Sequence, residues 1–133
     1  MTRLLAAVFA AALAGPALAQ APPAGPVRAT SLLTRPLVGI PGKEVAMTVL
    51  EIAPGGTSPP HRHNANTFVY VLEGTMVMQV EGSPPVTLGP GQTFYETPTD
   101  IHSQSRNPSA TAPAKILVVF VKDVGAPATV PAH

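Results

Sequence analysis

The sequence has no cysteine, which excludes disulfides, thiolate nucleophiles, cysteine-ligated zinc and iron–sulfur clusters together. It has no tryptophan either, and only 11% of its 133 residues are charged. Eight Lys and Arg stand against seven Asp and Glu, a formal net charge of +1 with no basic run. Neither nucleic acid nor an acidic membrane surface is therefore an expected partner. Sustained 3.6-residue periodicity is missing, and 17 prolines and 11 glycines oppose long helices. Phosphate-binding glycine loops, nucleotide fingerprints and nucleophile motifs are also absent.

What remains is enough chain for one domain with one core. Its start, "MTRLLAAVFAAALAGPALAQ", has a basic residue at Arg3 and an alanine–leucine run from Leu4 to Ala14. A Gly15-Pro16 break and a small-x-small site at Ala17-Leu18-Ala19 follow. These are the three parts of a secretory signal peptide, so residues 1–19 are expected to be removed. The apolar run falls short of the about 20 residues that span a bilayer. The mature chain is then expected to be periplasmic or secreted, with no membrane contact. Loss of Arg3 leaves seven basic and seven acidic side chains.

Residues 20–35, with "APPAGP", read as an extended linker, and residues 124–133 as a loose tail. The domain between them, 36–123, alternates with period two. In "EVAMTVLEIA" (44–53), Val45, Met47 and Val49 fall on one face, Thr48 and Leu50 on the other. "TFVYVLEG" (67–74) and "TMVMQVEG" (75–82) are two strands joined by a tight turn at Glu73-Gly74. "PVTLGPG", "QTFYE", "IHSQSR" and "KILVVFVKD" add four more. Short strands at this density, separated by Gly and Pro, indicate an all-β antiparallel sandwich or barrel.

The most informative stretch is "GGTSPPHRHNANTFVYVLEG" (55–74). Gly55, five residues, His61-Arg62-His63, then Gly74 follow the spacing of a motif in which a glutamate stands at position 67. "GQTFYETPTDIHSQSRN" (91–107) supplies a second glycine, a proline turn and a third histidine, His102. Together these resemble the two motifs of the cupin superfamily, over about residues 36 to 122. The resemblance implies an antiparallel double-sheet jelly-roll β-barrel holding a metal ion, with homodimerisation through sheet edges as the family expectation. Two positions depart from the pattern. Thr67 occupies the glutamate position, and Thr97 and Thr99 flank Pro98 where the second motif has its proline and glycine.

On a strand, residues i and i+2 point the same way, so His61 and His63 can aim two imidazoles at one point. His102, from a separate strand across the barrel, would complete a three-nitrogen set. Imidazole suits a divalent transition metal such as iron, zinc, manganese, nickel or copper better than magnesium or calcium. Thr67 is a poor ligand, which leaves three alternatives: a site of three histidines, the amide of Asn66, or the carboxylate of Glu96. Glu96 shares a face with Phe94, and a carboxylate inside an apolar barrel needs a partner. It is also the candidate proton acceptor. His133 is assigned no role.

By parity, a pocket for a small-molecule ligand would be lined by Met47, Thr67, Val69, Met76, Met78, Phe94, Gln104 and Arg106. The expected function is a metal-binding periplasmic cupin, with dioxygenase chemistry on a small chelating oxygenated compound as its leading form. The alternatives are a non-redox metal-dependent lyase or isomerase, and a barrel that binds a metal or small molecule without turnover.

Overall fold

The computed structural model describes residues 26–132; the expected signal peptide and His133 lie outside them. Eleven strands form two antiparallel sheets, and no helix occurs among the described residues. In chain order they are β1 (Val27–Pro36), β2 (Lys43–Ile52), β3 (Thr57–Ser58), β4 (His61–His63), β5 (Ala65–Glu73) and β6 (Met76–Val80). β7 (Val86–Leu88), β8 (Thr93–Glu96), β9 (Ile101–Arg106), β10 (Ala114–Asp123) and β11 (Thr129–Pro131) follow. The first sheet runs β1-β2-β10-β5-β8 and the second β11-β4-β9-β6-β7, with β3 also paired to β9. This is the jelly-roll double sheet expected from the sequence.

Strand β10 is central because its alternate residues are apolar on both sides. Ala114, Ile116, Val118 and Phe120 point inward and are buried. At one end they meet Ile52, Val71, Met76 and Leu88 in the packed core. Val71 and Met76 are 0% exposed, and burial of each such side chain contributes about 1.5–3 kcal/mol. At the other end the inward position belongs to Lys122, which is buried against the carboxylate of Glu44. That carboxylate also accepts from the Gly125 N–H at 3.2 Å. Between these ends the interior opens into a cavity of about 860 Å³.

β5 and β6 do not pair with each other; they lie in opposite sheets and face across the interior. Gly74 makes that crossing at φ 75°, where a Cβ would sit 2.7 Å from the Pro113 carbonyl oxygen and 2.9 Å from Ala114 Cα. Left-handed backbone and lack of room both require glycine there.

Three sequence expectations need correction. Residues 27–36 are not linker but the edge strand β1, paired along β2. Its register shift near Leu32 breaks the alternation that would have announced a strand. The supposed tail contains β11, whose Thr129, Val130 and Pro131 pair with His63, Arg62 and His61. Proline is tolerated on such an edge because no ladder donor is needed from it. Met47 points outward, since the inward row of β2 is Glu44, Ala46, Thr48, Leu50 and Ile52. Both rows of β2 carry apolar residues, so alternation could not choose the face; pairing with β10 does.

The outer face of the first sheet is unusually apolar. Phe68, Tyr70, Leu72 and Tyr95 are exposed there, with the Phe68 and Tyr95 ring centroids 5.1 Å apart.

Candidate metal centre

His61 and His63 sit on β4, and His102 on the neighbouring strand β9. His102 is not across the barrel: it is the direct register partner of His61. The ring centroids of His61 lie 4.8 Å from those of His63 and 5.0 Å from those of His102. One nitrogen from each of the three rings falls within 4.8 Å of the others, a spacing that one ion can bridge.

Hydrogen bonds fix two of the rings. His61 Nδ1–H donates to the Pro59 carbonyl at 2.8 Å. His63 Nδ1–H donates to the Ala128 carbonyl at 3.2 Å, with the Thr129 hydroxyl 3.0 Å away. Both contacts commit Nδ1 and leave the Nε2 lone pair free as a ligand. His102 is buried, and among the described residues neither of its ring nitrogens has a hydrogen-bond partner.

Glu96 is the group that reaches across from the other sheet. Its side chain is 1% exposed, and one oxygen lies 3.2 Å from His102 Nδ1 and 3.7 Å from His63 Nε2. Neither carboxyl oxygen has a hydrogen-bond partner among the described residues. Glu96 is also the register partner of Thr67 on β5. The carboxylate missing at position 67 is thus found one strand over, on the same inward face. Thr67 itself is fully buried behind it, with its hydroxyl 3.5 Å from the Ala65 carbonyl. Asn66 points outward and accepts from the Tyr95 hydroxyl at 2.7 Å, so it offers the centre nothing.

Four buried, unpartnered polar atoms on Glu96 and His102, beside two imidazoles with free Nε2 atoms, fit a divalent cation. Without one, the groups would bear an uncompensated desolvation cost. Three imidazoles and a carboxylate suit a transition metal rather than magnesium or calcium. In the metal-free protein, burial and the nearby imidazoles hold His63 and His102 down at about 4. Burial, assisted by Asp100, pushes Glu96 up to about 7.

Of the expected pocket residues, Val69 and Met78 line the cavity. Phe94 lies beside the centre, its ring 5.8 Å from that of His102. Met76 is packed into the core at 0% exposure. Gln104 and Arg106 leave the cavity to Ser105, because β9 bulges between His102 and Gln104 where β6 advances only from Val80 to Gln79. One extra residue reverses the parity counted from His102. Thr48, Leu50 and the segment Ala128–Ala132 also line the cavity. Ala128 and Thr129 were missed at the sequence level. The β-branched pair Thr129-Val130 between prolines was their only signal.

Thr129→Val removes one of the two contacts at His63 Nδ1, and metal affinity is expected to fall about tenfold, read by competitive titration against a chromogenic chelator. The pH dependence of metal-free stability follows from the shifted groups. Between pH 4 and 6.5 the unfolded chain binds protons on His63 and His102 that the folded chain refuses. That stability is present above 6.5 and is lost as pH falls to 4. Glu96 acts oppositely: folded protein keeps its proton between 4.5 and 7 while unfolded chain has lost it, so its contribution declines as pH rises. Two imidazoles outweigh one carboxyl, so urea unfolding should show a net loss on acidification from 6.5 to 4. Glu96→Gln, which removes the opposing contribution, should steepen that loss.

Comparison with known proteins places this geometry. The sequence matches the cupin domain family over residues 48–120, more than half of the chain. A comparison with curated proteins finds no match. Among solved structures, the DMSP lyase DddQ of Ruegeria pomeroyi is similar with a TM-score of 0.59 at 28% identity. That likeness covers 66% of this chain and 43% of the lyase. Oxalate oxidase in complex with glycolate is similar with a TM-score of 0.60 at 25% identity, over 80% of this chain and 55% of the oxidase. The chain thus spans about half the length of either enzyme. An RmlC-like cupin of Shewanella frigidimarina has a TM-score of 0.60 at 19% identity, covering 77% and 81%. The matched span takes in the strands that carry all three histidines and Glu96, and this chain belongs to the cupin family.

Proposed function

We propose that this chain is a metal-dependent periplasmic cupin that acts on a small chelating oxygenated compound, with dioxygenase chemistry as the leading form. The observation that carries the metal is the set of unpartnered buried atoms on Glu96 and His102. His61, His63 and His102 would hold a divalent transition metal, with Glu96 as fourth donor or proton acceptor. Bound there, the ion would polarise a chelating substrate and supply redox chemistry if it is iron, manganese, nickel or copper.

The chain's own residues have separable tasks. Pro59 and the Ala128–Thr129 pair orient His61 and His63. Glu96, held near pH 7 by burial, is poised to take a proton from a substrate hydroxyl and return it later. The apolar walls exclude water around that transfer.

A second form of the reaction keeps the ion and drops the redox step. A carboxyl group tuned near neutrality suits proton abstraction in a lyase or isomerase. A lyase and an oxidase both stand among the similar structures. Binding without turnover is the third form. To separate them, protein is isolated from the periplasm with an intact mass beginning at Gln20. It is then reconstituted anaerobically with iron(II) and exposed to enols, diketones or flavonols. Oxygen consumption that falls at least a hundredfold in Glu96→Gln and disappears in His61→Ala supports the dioxygenase. Turnover that persists under nitrogen with zinc supports the lyase or isomerase. Failure to bind any metal in wild type would overturn the proposal.

A second copy of the chain is the proposed partner. Sheet edges were the expected contact, but the exposed row Phe68, Tyr70, Leu72 and Tyr95 offers a larger apolar surface. Charges at one end of that face are already paired within the chain, Lys115 with Glu73 at 3.0 Å and Arg28 with Glu51 at 2.8 Å. Two copies can therefore meet there without like-charge contact. Sedimentation should give a dimer that Tyr95→Glu converts to monomer; a wild-type monomer would refute this.

A further inference from the structure

The cavity beside the histidines is much larger than an ion with a two-carbon chelator requires, at about 860 Å³. That is the size of pockets that enclose ligands of drug-like bulk. Its walls are specific in kind. Leu50, Val69, Ile116, Val118 and Phe120 form the side opposite the histidines. Pro59, Pro60, Val130 and Pro131 add further apolar surface beside β4.

Among the described residues, no lysine or arginine lines the cavity, and the ionisable side chains that reach it are His61, His63, His102 and Glu96. Arg106, which parity had placed in the pocket, is kept out by the bulge in β9. A substrate that carries a charge on its body, beyond the chelating oxygens, would leave that charge with no cationic side chain in the wall to pair it. A charge so placed is strongly disfavoured. A permanently cationic substrate fares no better, because among the described residues Phe120 is the sole aromatic wall residue apart from the imidazoles. One aromatic face does not make a cage.

We infer that the cavity selects a chelator with one pair of adjacent or 1,3-related oxygens on a neutral, apolar body, aryl rather than carboxylate-bearing, of about bicyclic size. The inference rests on the proposed metal site and names the substrate class that the site accepts. The oxygen pair would face the histidines and Glu96, and the body would lie along Leu50, Ile116 and Val118. Val118 sits at the centre of this wall: it pairs with Thr48 of β2 on one side and Val69 of β5 on the other.

The test uses the full mature chain loaded with zinc, so that no oxidation competes with binding. Calorimetry compares acetylacetone, benzoylacetone and 4-carboxybenzoylacetone, which share the chelating diketone but differ in the body and in the charge on it. Benzoylacetone is expected to bind at least tenfold more tightly than either of the others. Val118→Phe, which fills the wall, should collapse the ratio between benzoylacetone and acetylacetone towards one. Leu50→Asn, at a less buried position, should do the same and guards against misfolding of the first variant. Equal affinity for acetylacetone and benzoylacetone, or tightest binding of the carboxylate-bearing diketone, would overturn the inference while leaving the metal site intact. Absence of zinc uptake, or of binding by all three chelators to zinc-loaded protein, would overturn the metal site and the inference together.

Discussion

A carboxyl group and three imidazoles share a small buried volume between the two sheets, and their mutual electrostatics govern much of what this protein can do. Burial raises Glu96 and lowers His63 and His102, so the metal-free centre approaches neutrality by withholding charge rather than by pairing it. Such a cluster is unfavourable on its own. A divalent cation reverses the effect of burial on Glu96 and reinforces that on His63 and His102, because it rewards ionised carboxylate and neutral imidazole alike. A cluster that opposes stability when empty and favours it when filled is the mark of a site kept for a ligand.

The sheets make that volume available by dividing one strand's inward face into three zones. Along β10 the side chains pass from packed core at Ala114, through cavity wall at Ile116 to Phe120, to the buried Lys122–Glu44 pair. The last of these also anchors the chain at Gly125, where the C-terminal segment turns back toward β4. That segment then holds His63 through Ala128 and Thr129 and closes one side of the cavity. Packing at one end, polar anchoring at the other and ligand orientation in the middle are therefore mechanically linked through short strands.

Much of this was legible in the sequence. Period-two alternation in β5 and β10, with glycine at the crossings, specified an all-β sandwich. The spacing of Gly55, His61, His63, Gly74 and His102 specified cupin motifs. The less legible parts have identifiable physical causes. β1 and β11 are edge strands, half-solvated and paired on one side, so they lack a strong apolar row. Met47 could not be assigned a face because both rows of β2 carry apolar residues. Gln104 and Arg106 were misplaced by a single extra residue in β9, which sequence spacing does not register.

The sequence by itself determined the type of chemistry. The absence of cysteine removes thiolate from the possible donors, and the His-x-His spacing supplies paired imidazole nitrogens, whatever the fold. Where a carboxylate stands relative to the three histidines was decided only by tertiary structure. Thr67 and Glu96 are 29 residues apart in the chain but directly opposed across β5 and β8, and only strand pairing brings a carboxylate to the face that position 67 had left without one. The same holds for the charge character of the cavity. Which side chains reach an interior depends on register, and register is set by the packing of all the strands together rather than by any one of them.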